Sequence, residues 1–336
     1  MAIEFMDGFD YYTGTDATGH QSVWDSASSV TSISADGGGV YDYGRAAALS
    51  SNTFLKKTVS STATKIVAFH MKAAGYNGGN FVSFYDSATL HVNIKVNADK
   101  TVTFYRNTTA LGTSTELVAP INTWAWYSVK VTIDDAAGVV SLYMNGNLIY
   151  ELTSQDTRNA GNASCNFIQL SSCYTTASTT NYDNVHIMDS TGATYNDHIG
   201  EHRIYKYLGT ADGALTDMTA SAGNDYACID ENPNNGDTDY ISTSTSGHIN
   251  TVAAPALSLS TIAAVKVSAS IRKDDAGTRT ARVINRQSTT NYAGTSYDAA
   301  STYSFISHLW LVNPATTSVW SGAEVDATQP GIECVA

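Results

Sequence analysis

Thr123-Trp124-Ala125-Trp126-Tyr127-Ser128-Val129-Lys130-Val131-Thr132-Ile133 is the stretch on which the reading of the fold turns. Ala125, Tyr127, Val129, Val131 and Ile133 fall on one parity; Ser128, Lys130 and Thr132 fall on the other. Successive side chains of a strand point to opposite faces, so a period of two reads as a half-buried strand rather than a helix. Asp134-Asp135-Ala136-Ala137-Gly138 interrupts the pattern and residues 139–144 resume it. Asn145-Gly146 comes next, and a type I′ turn needs positive φ at both of its central residues, which this pair supplies. Residues 147–152 are the returning strand. Three consecutive antiparallel strands are therefore predicted.

Working outward, Tyr182-Asp183-Asn184-Val185-His186-Ile187 is a second apolar run, and Phe5-Met6-Asp7-Gly8-Phe9-Asp10 opens the chain. A Trp just ahead of a short β run, the Gly-x-Val-x-x-Tyr-x-Asn-Gly hairpin of residues 138–146 and these two segments together resemble the laminin-G/concanavalin-A-like jelly roll, over residues 1–190. The resemblance implies that residues 5–10 form the first strand, beside the strand of residues 183–187. It also implies a calcium ion at the sheet rim, with Asp183 as the candidate ligand. A hard cation needs six or more oxygens from several loops, and no single loop shows an ordered ligand spacing. The alternative for Asp183 is a turn closed on its own backbone.

The remaining segments extend the β reading. Residues 64–72 are apolar on both faces, as in a strand between packed layers. Tyr76-Asn77-Gly78-Gly79-Asn80 is a turn, and residues 90–96 and 101–106 flank Asp99-Lys100 as another hairpin. Residues 11–50 are loop-rich, and Gly192, Asn196, Asp197 and Gly200 mark a boundary. Beyond it, residues 202–208 read as a β run. Residues 261–271 alternate cleanly, and Asp274-Asp275-Ala276-Gly277 is predicted to close a hairpin into residues 278–286. The fold class is all-β: a concanavalin-A-like jelly-roll sandwich over residues 1–195, then a second, smaller β-sandwich domain over residues 196–336. Such a jelly roll with a small β tail is similar to structural proteins of tailed bacteriophages.

Length and composition agree with two cores. The chain has 336 residues, 43% hydrophobic and only 15% charged, with 20 Tyr and 5 Pro. Tyr and Thr favour pleated, half-exposed surfaces. No segment is long and apolar enough to span a bilayer, so no membrane insertion is expected. The formal net charge of −13 argues against nucleic acid as a partner. Residues 1–5 carry no export signal, which places the chain in a cytoplasm, as for a virion protein assembled in its host. Cys165, Cys173, Cys228 and Cys334 lack the two-residue gap of zinc sites. Cys165 and Cys173 fall on one predicted strand; Cys228 and Cys334 fall in the first and last strands of the second half. In a reducing compartment all four read as small buried hydrophobes.

The sequence carries none of the common catalytic patterns. A retaining glycosidase of jelly-roll type needs two carboxylates about 5 Å apart on one strand face. The seven Glu are scattered and none opens a Glu-x-Asp-x-x-Glu run. There is no Gly-x-Ser-x-Gly elbow, no His-Glu-x-x-His, and no Lys after Asp36-Gly37-Gly38-Gly39. His70, His91 and His308 lie inside apolar strands and read as structural.

Three features remain for binding. Tyr11, Tyr12, Trp24, Tyr41, Tyr76, Tyr174 and Tyr182 fall near loops, where an aromatic ring can stack on a sugar, and many of them read equally as core or rim. The loop of residues 225–239 is acidic. Arg272, Lys273, Arg279, Arg282 and Arg286 form a basic stripe that fits an acidic neighbour or guards an edge strand. The expectation drawn is a non-enzymatic bacteriophage virion structural protein, a capsid decoration or tail-tip or fibre component, with other virion proteins as partners and a homo-oligomeric state. The alternative is a carbohydrate-binding lectin module for host cell-surface glycan, with calcium as its only suggested cofactor. A depolymerase with an unfamiliar site is the third reading.

Overall fold

The computed structural model describes residues 3–12, 23–28, 32–33, 38–40, 44–51, 53–174 and 178–336. The chain divides into two compact units, residues 1–205 and 206–336. Among the described residues the first unit holds fifteen strands. They are β1 Ile3–Asp7, β2 Ser26–Ser28, β3 Ser32–Ile33, β4 Ala47–Leu49, β5 Phe54–Thr62, β6 Thr64–Ala73, β7 Asn80–Asp86 and β8 Thr89–Val96. After them come β9 Val102–Arg106, β10 Thr109–Thr113, β11 Ala125–Thr132, β12 Gly138–Met144, β13 Asn147–Gln155, β14 Cys165–Ser171 and β15 Thr180–Asp189.

These strands build two antiparallel sheets. One has the order β13-β12-β11-β6-β15-β4-β3, with β1 also paired to β15; the other has the order β10-β9-β8-β7-β14-β5-β2. The alternation of residues 125–133 is what places β11 in the first sheet with one face inward. Ala125, Tyr127, Val129, Val131 and Ile133 are all buried, and Tyr127 lies opposite Phe69 of β6. Asn145 and Gly146 take φ of 50° and 80°, so the predicted turn closes β12 onto β13 at Met144 and Asn147. The first strand pairs with the last, Phe5 with Ile187 and Asp7 with Val185. The sheets meet through a layer of aromatic rings. Phe69 of the first sheet lies 6.2 Å from Phe81 of the second, and Phe104 lies 5.1 Å from Tyr150. Tyr182 donates its buried hydroxyl proton across the layer to the carbonyl of Phe81, at 2.9 Å.

The second unit holds β16 Ala211–Thr216, β17 Thr219–Ala220, β18 Ile241–Ser242, β19 Ile249–Ala253, β20 Val265–Ile271, β21 Thr280–Gln287, β22 Thr290–Ala293, β23 Tyr297–Asp298, β24 Ser304–Trp310 and β25 Thr328–Cys334. Its main sheet runs β16-β19-β25-β21-β22, with β23 beside β21. The ribbon β20-β24 supplies the rest of a core of Val267, Ile271, Val283, Ile306, Trp310 and Trp320. The whole chain is an all-β protein of antiparallel sheets.

Three local expectations are corrected. Residues 202–208 are not a strand: residues 200–209 are irregular, because polar side chains of the first sheet hold this segment where backbone pairing was expected. The Asp274–Gly277 turn does not close a hairpin either. β20 pairs with β24, Val267 opposite His308, while β21 sits between β25 and β22 in the other sheet. Cys173 lies beyond the end of β14, and Cys228 lies in a short 3-10 turn, Tyr226–Cys228; all four cysteines are free and buried.

Candidate functional site

The two sheets of the first unit differ in what happens on their outer faces. Over the first sheet runs the segment of residues 196–204. Lys130 pairs with Asp197 at 2.9 Å, and the two ring nitrogens of His198 bond the hydroxyls of Ser128 and Ser141 at 2.7 and 2.9 Å. Glu201 reaches His70 Nε2 at 3.2 Å, and the Ile204 N–H donates to Asn184 Oδ1 at 2.6 Å. His186 is buried among Trp126 and His202, with ring separations of 5.8 and 6.2 Å. Burial, reinforced by His202, holds its imidazolium down to about 3. Burial likewise holds His198 down to about 4, against the opposing pull of Asp197. Burial lowers His70 too, with Glu201 opposing. Neutral imidazoles knitted into a strap are a structural arrangement.

At the rim, Asp183 is buried with Asp7 and Asp10. Its Oδ2 accepts from Val40 N at 2.9 Å, and its Oδ1 accepts from the next residue, Asn184 N, at 2.6 Å. Asp7 accepts from Trp24 Nε1 at 2.7 Å, Tyr12 OH at 2.8 Å and Phe9 N at 3.0 Å. Burial pushes the Asp183 carboxyl up to about 8; Asp10 and Asp7 push the same way, and the N–H of Val40 pulls it down. The donor chemistry would suit a hard cation. Among the described residues, however, no three His, Cys, Asp or Glu side chains converge to hold one.

The outer face of the second sheet carries a different set of groups. The registers place Lys56 of β5 opposite Gln169 of β14, Gln169 opposite Ser83 of β7, Ser83 opposite Asn93 of β8, and Asn93 opposite Tyr105 of β9. Cross-strand partners share a face, so these five side chains form one transverse row. At about 4.8 Å per strand the row is roughly 19 Å long. Ser83 and Asn93 are buried in its middle, and Lys56, Gln169 and Tyr105 are half-exposed around them. Asn93 Nδ2 donates to Asn107 O at 2.7 Å, and Gln169 Nε2 donates to Ser171 Oγ at 2.8 Å, which fixes both amides.

An adjoining row carries the apolar surface. Phe167 lies opposite Tyr85, and their rings stack at 4.5 Å and 13°. The Lys56 ammonium rests 4.8, 5.2 and 5.7 Å from the rings of Phe54, Phe167 and Tyr85. On the other side of the polar row, Lys95 lies opposite Asn80 and Thr103, with its ammonium 6.0 Å from the Tyr105 ring. Amides, hydroxyls and half-exposed rings on one rigid sheet can hydrogen-bond and stack a polyhydroxylated chain.

The predicted site residues fare differently. Tyr12, Trp24, Tyr76 and Tyr182 are buried in the interior, so they are corrected from sugar contacts to core. Tyr11 and Tyr174 are half-buried, and Tyr41 lies outside the described residues. Three of the five cations of the basic stripe are neutralised: Arg272 pairs with Asp237 at 2.8 Å, Arg279 with Asp275 at 2.6 Å, and Arg282 with both oxygens of Glu333 at 2.8 and 2.9 Å. Arg286 bonds Asn291 and the carbonyl of Thr289. The acidic loop supplies the partner of Arg272, and Asp237 also accepts from Tyr303 OH at 2.7 Å. The rings that do face outward, Tyr85, Tyr105 and Phe167, sit on strands. Their signal in the sequence is alternation with polar residues two positions away, as in Ser83/Tyr85 and Phe167/Gln169.

No family model matches this chain, and no curated protein sequence does. Solved structures do match in fold. Cellulose induced protein, Cip1, is 15% identical with a TM-score of 0.42, over 59% of this chain and 100% of that one. The endo-beta-1,4-glucuronan lyase from the fungus Trichoderma reesei is 10% identical with a TM-score of 0.39, over 55% and 94%. The alginate lyase Aly36B is 13% identical with a TM-score of 0.39, over 56% and 96%. The similarity is one of fold, that of β-sandwich, jelly-roll-like proteins. The expectation of a non-enzymatic protein is corrected by the same finding, since two of these three structures are of lyases.

Proposed function

We propose that the outer face of the seven-stranded sheet binds an extended carbohydrate chain. The observation that carries this reading is the transverse row Lys56-Gln169-Ser83-Asn93-Tyr105, flanked by the stacked pair Tyr85 and Phe167. A row roughly 19 Å long, by strand spacing, spans several sugar units and not one. Its amides are pre-oriented by their own hydrogen bonds, so little ordering entropy is lost on binding. Rings supply the apolar contact that a pyranose face needs, and polar groups supply direction. In the virion setting that the second sequence resemblance implies, such a face would engage glycans of a host surface.

The test is affinity electrophoresis and calorimetry against a panel of soluble polysaccharides, with the whole chain and with Tyr85→Ala, Phe167→Ala and Gln169→Ala. Binding by the wild type, weakened about tenfold or more by each substitution with the near-UV circular dichroism unchanged, is the expected result. Retained affinity in all three folded variants would move the site elsewhere.

A further inference from the structure

We infer that the carbohydrate bound by this face is anionic; the inference rests on the binding reading above and names the chemical class of its ligand. The chain is strongly acidic, with 31 Asp and Glu against 18 Lys and Arg. Half of its cations are paired: Lys57, Lys65, Lys130, Arg106, Arg158, Arg203, Arg272, Arg279 and Arg282 each sit within ion-pair distance of a carboxylate. Lys56 and Lys95 belong to the other half. Among the described residues neither has a carboxylate partner, and both belong to the same outer face. No position of the transverse row is acidic.

Two structural explanations for such lysines can be weighed. Charge on an edge strand blunts aggregation. Here, though, β5 is covered by β2 and β8 lies inside the order β10-β9-β8-β7-β14, so neither lysine is on an edge. The other explanation is packing of the aliphatic stem, which a Met would serve as well without a charge to solvate. The Lys56 ammonium is instead positioned over three rings, and Lys95 passes so close to Gly78 that a Cβ there would lie 2.7 Å from its Cε. Both ammonium groups are therefore pre-positioned.

Lys56 and Lys95 stand three strands apart, roughly 14 Å across the sheet. Gln169, with its fixed amide, and Ser83 lie on the two strands between them, and the fixed amide of Asn93 lies on β8 beside Lys95. A polymer carrying carboxylate or sulfate groups along its length meets positive charge at both ends of this span and hydrogen-bonding groups between them. Charge-assisted contacts of this kind are stronger than neutral ones and are screened by salt.

The experiment measures binding of the whole chain to three probes: polygalacturonate for carboxylate, dextran sulfate for sulfate, and unsubstituted dextran as the neutral control. It uses the wild type, Lys56→Met, Lys95→Met, the double variant and Lys56→Arg, at 50 and 300 mM NaCl, with melting temperature as the check on folding. Polyanion binding that weakens with salt, falls about five- to tenfold with each Met substitution and is largely kept by Lys56→Arg supports the inference. Comparing polygalacturonate with dextran sulfate identifies which anion is preferred. Equal affinity for dextran, or Met variants that bind polyanion as well as the wild type, overturns the anionic assignment and leaves a neutral-glycan face standing. Failure to bind any of the three probes, or any member of the wider polysaccharide panel, overturns both readings together.

Discussion

Glu4, half-buried at the edge of the first unit, forms an ion pair with the buried Lys65. Lys65 Nζ lies 2.6 Å from Glu4 Oε1, and the Lys65 side chain is wholly buried. The carboxylate also accepts from Ser60 N at 3.0 Å and Ser60 Oγ at 2.6 Å, so β1 is tied to the corner between β5 and β6. A buried charge that loses its partner cannot recover its hydration. Glu4→Ala is therefore expected to cost about 3–5 kcal/mol in denaturant unfolding, while Glu4→Leu combined with Lys65→Met should cost much less. A single and a double variant of equal stability would show that the pair carries no mutual dependence.

Acid should loosen the strap of residues 196–204 before it unfolds the rest of the first unit. His186 and His198 are held at about 3 and about 4, below the ordinary value of 6.5 for histidine. The unfolded chain therefore binds more protons than the folded one once the pH drops under 6.5, and stability falls with pH from there until each group titrates in the folded state. Equilibrium unfolding at pH 7.5, 6, 5 and 4.5 should show a steady decline across that window. His198→Gln, which keeps hydrogen-bonding capacity without the titration, should flatten part of it. A stability difference between wild type and His198→Gln that stays constant from pH 7.5 to 4.5 would contradict the burial of that ring.

Asp183 acts with the opposite sign. Its carboxyl, raised to about 8, is protonated in the folded chain over a range where the unfolded chain has lost that proton. Its contribution is thus favourable at low pH and lost as the pH rises from about 4 through 8. Asp183→Asn should leave the melting temperature at pH 8 equal to or above the wild type, and lower relative to it near pH 5. Calcium is the control: a calcium-dependent rise in wild-type melting temperature, absent from Asp183→Asn, would replace the protonated-carboxyl account with a bound cation.

The thiols should be silent in the native chain. Burial pushes Cys165 and Cys173 up to about 12, and a thiol in that state offers almost no thiolate at neutral pH. An aromatic disulfide reagent at pH 8 should modify neither until denaturant is added, so their labelling rate reports opening of the first unit. Rapid native labelling of Cys173 would mean that the bond network around it, including Cys173 N to Thr180 Oγ1 at 2.9 Å, opens readily.

How far the amino-acid order foretold this arrangement depends on the range of the interaction. Strand character and the Asn145-Gly146 turn are local, written in a two-residue period and in backbone preference, and residues 125–152 were readable from those alone. Which strands become neighbours is not local. β20 and β21 are adjacent in sequence with a good turn between them, yet each finds a distant partner. The strap was misread for the same reason: its placement comes from Ser128, Ser141 and Asn184, distant in sequence. Alternation shows that Tyr85 and Phe167 lie opposite the core-facing residues of their strands. It does not show which outer face the chain will cover, and that is what separates a binding row from a buried one.

The pairing of β1 with β15 has a consequence for how the protein is made. Ile3–Asp7 leaves the ribosome ahead of the other strands of its unit, but its hydrogen-bonding partner in Val185–Met188 arrives some 180 residues later. Until then this strand has no mate, and its Phe5 has no layer to enter. Maturation of the first unit is therefore a late, all-at-once closure, and a nascent chain stalled before Asp189 would present a sticky, incomplete ribbon to the chaperones around it.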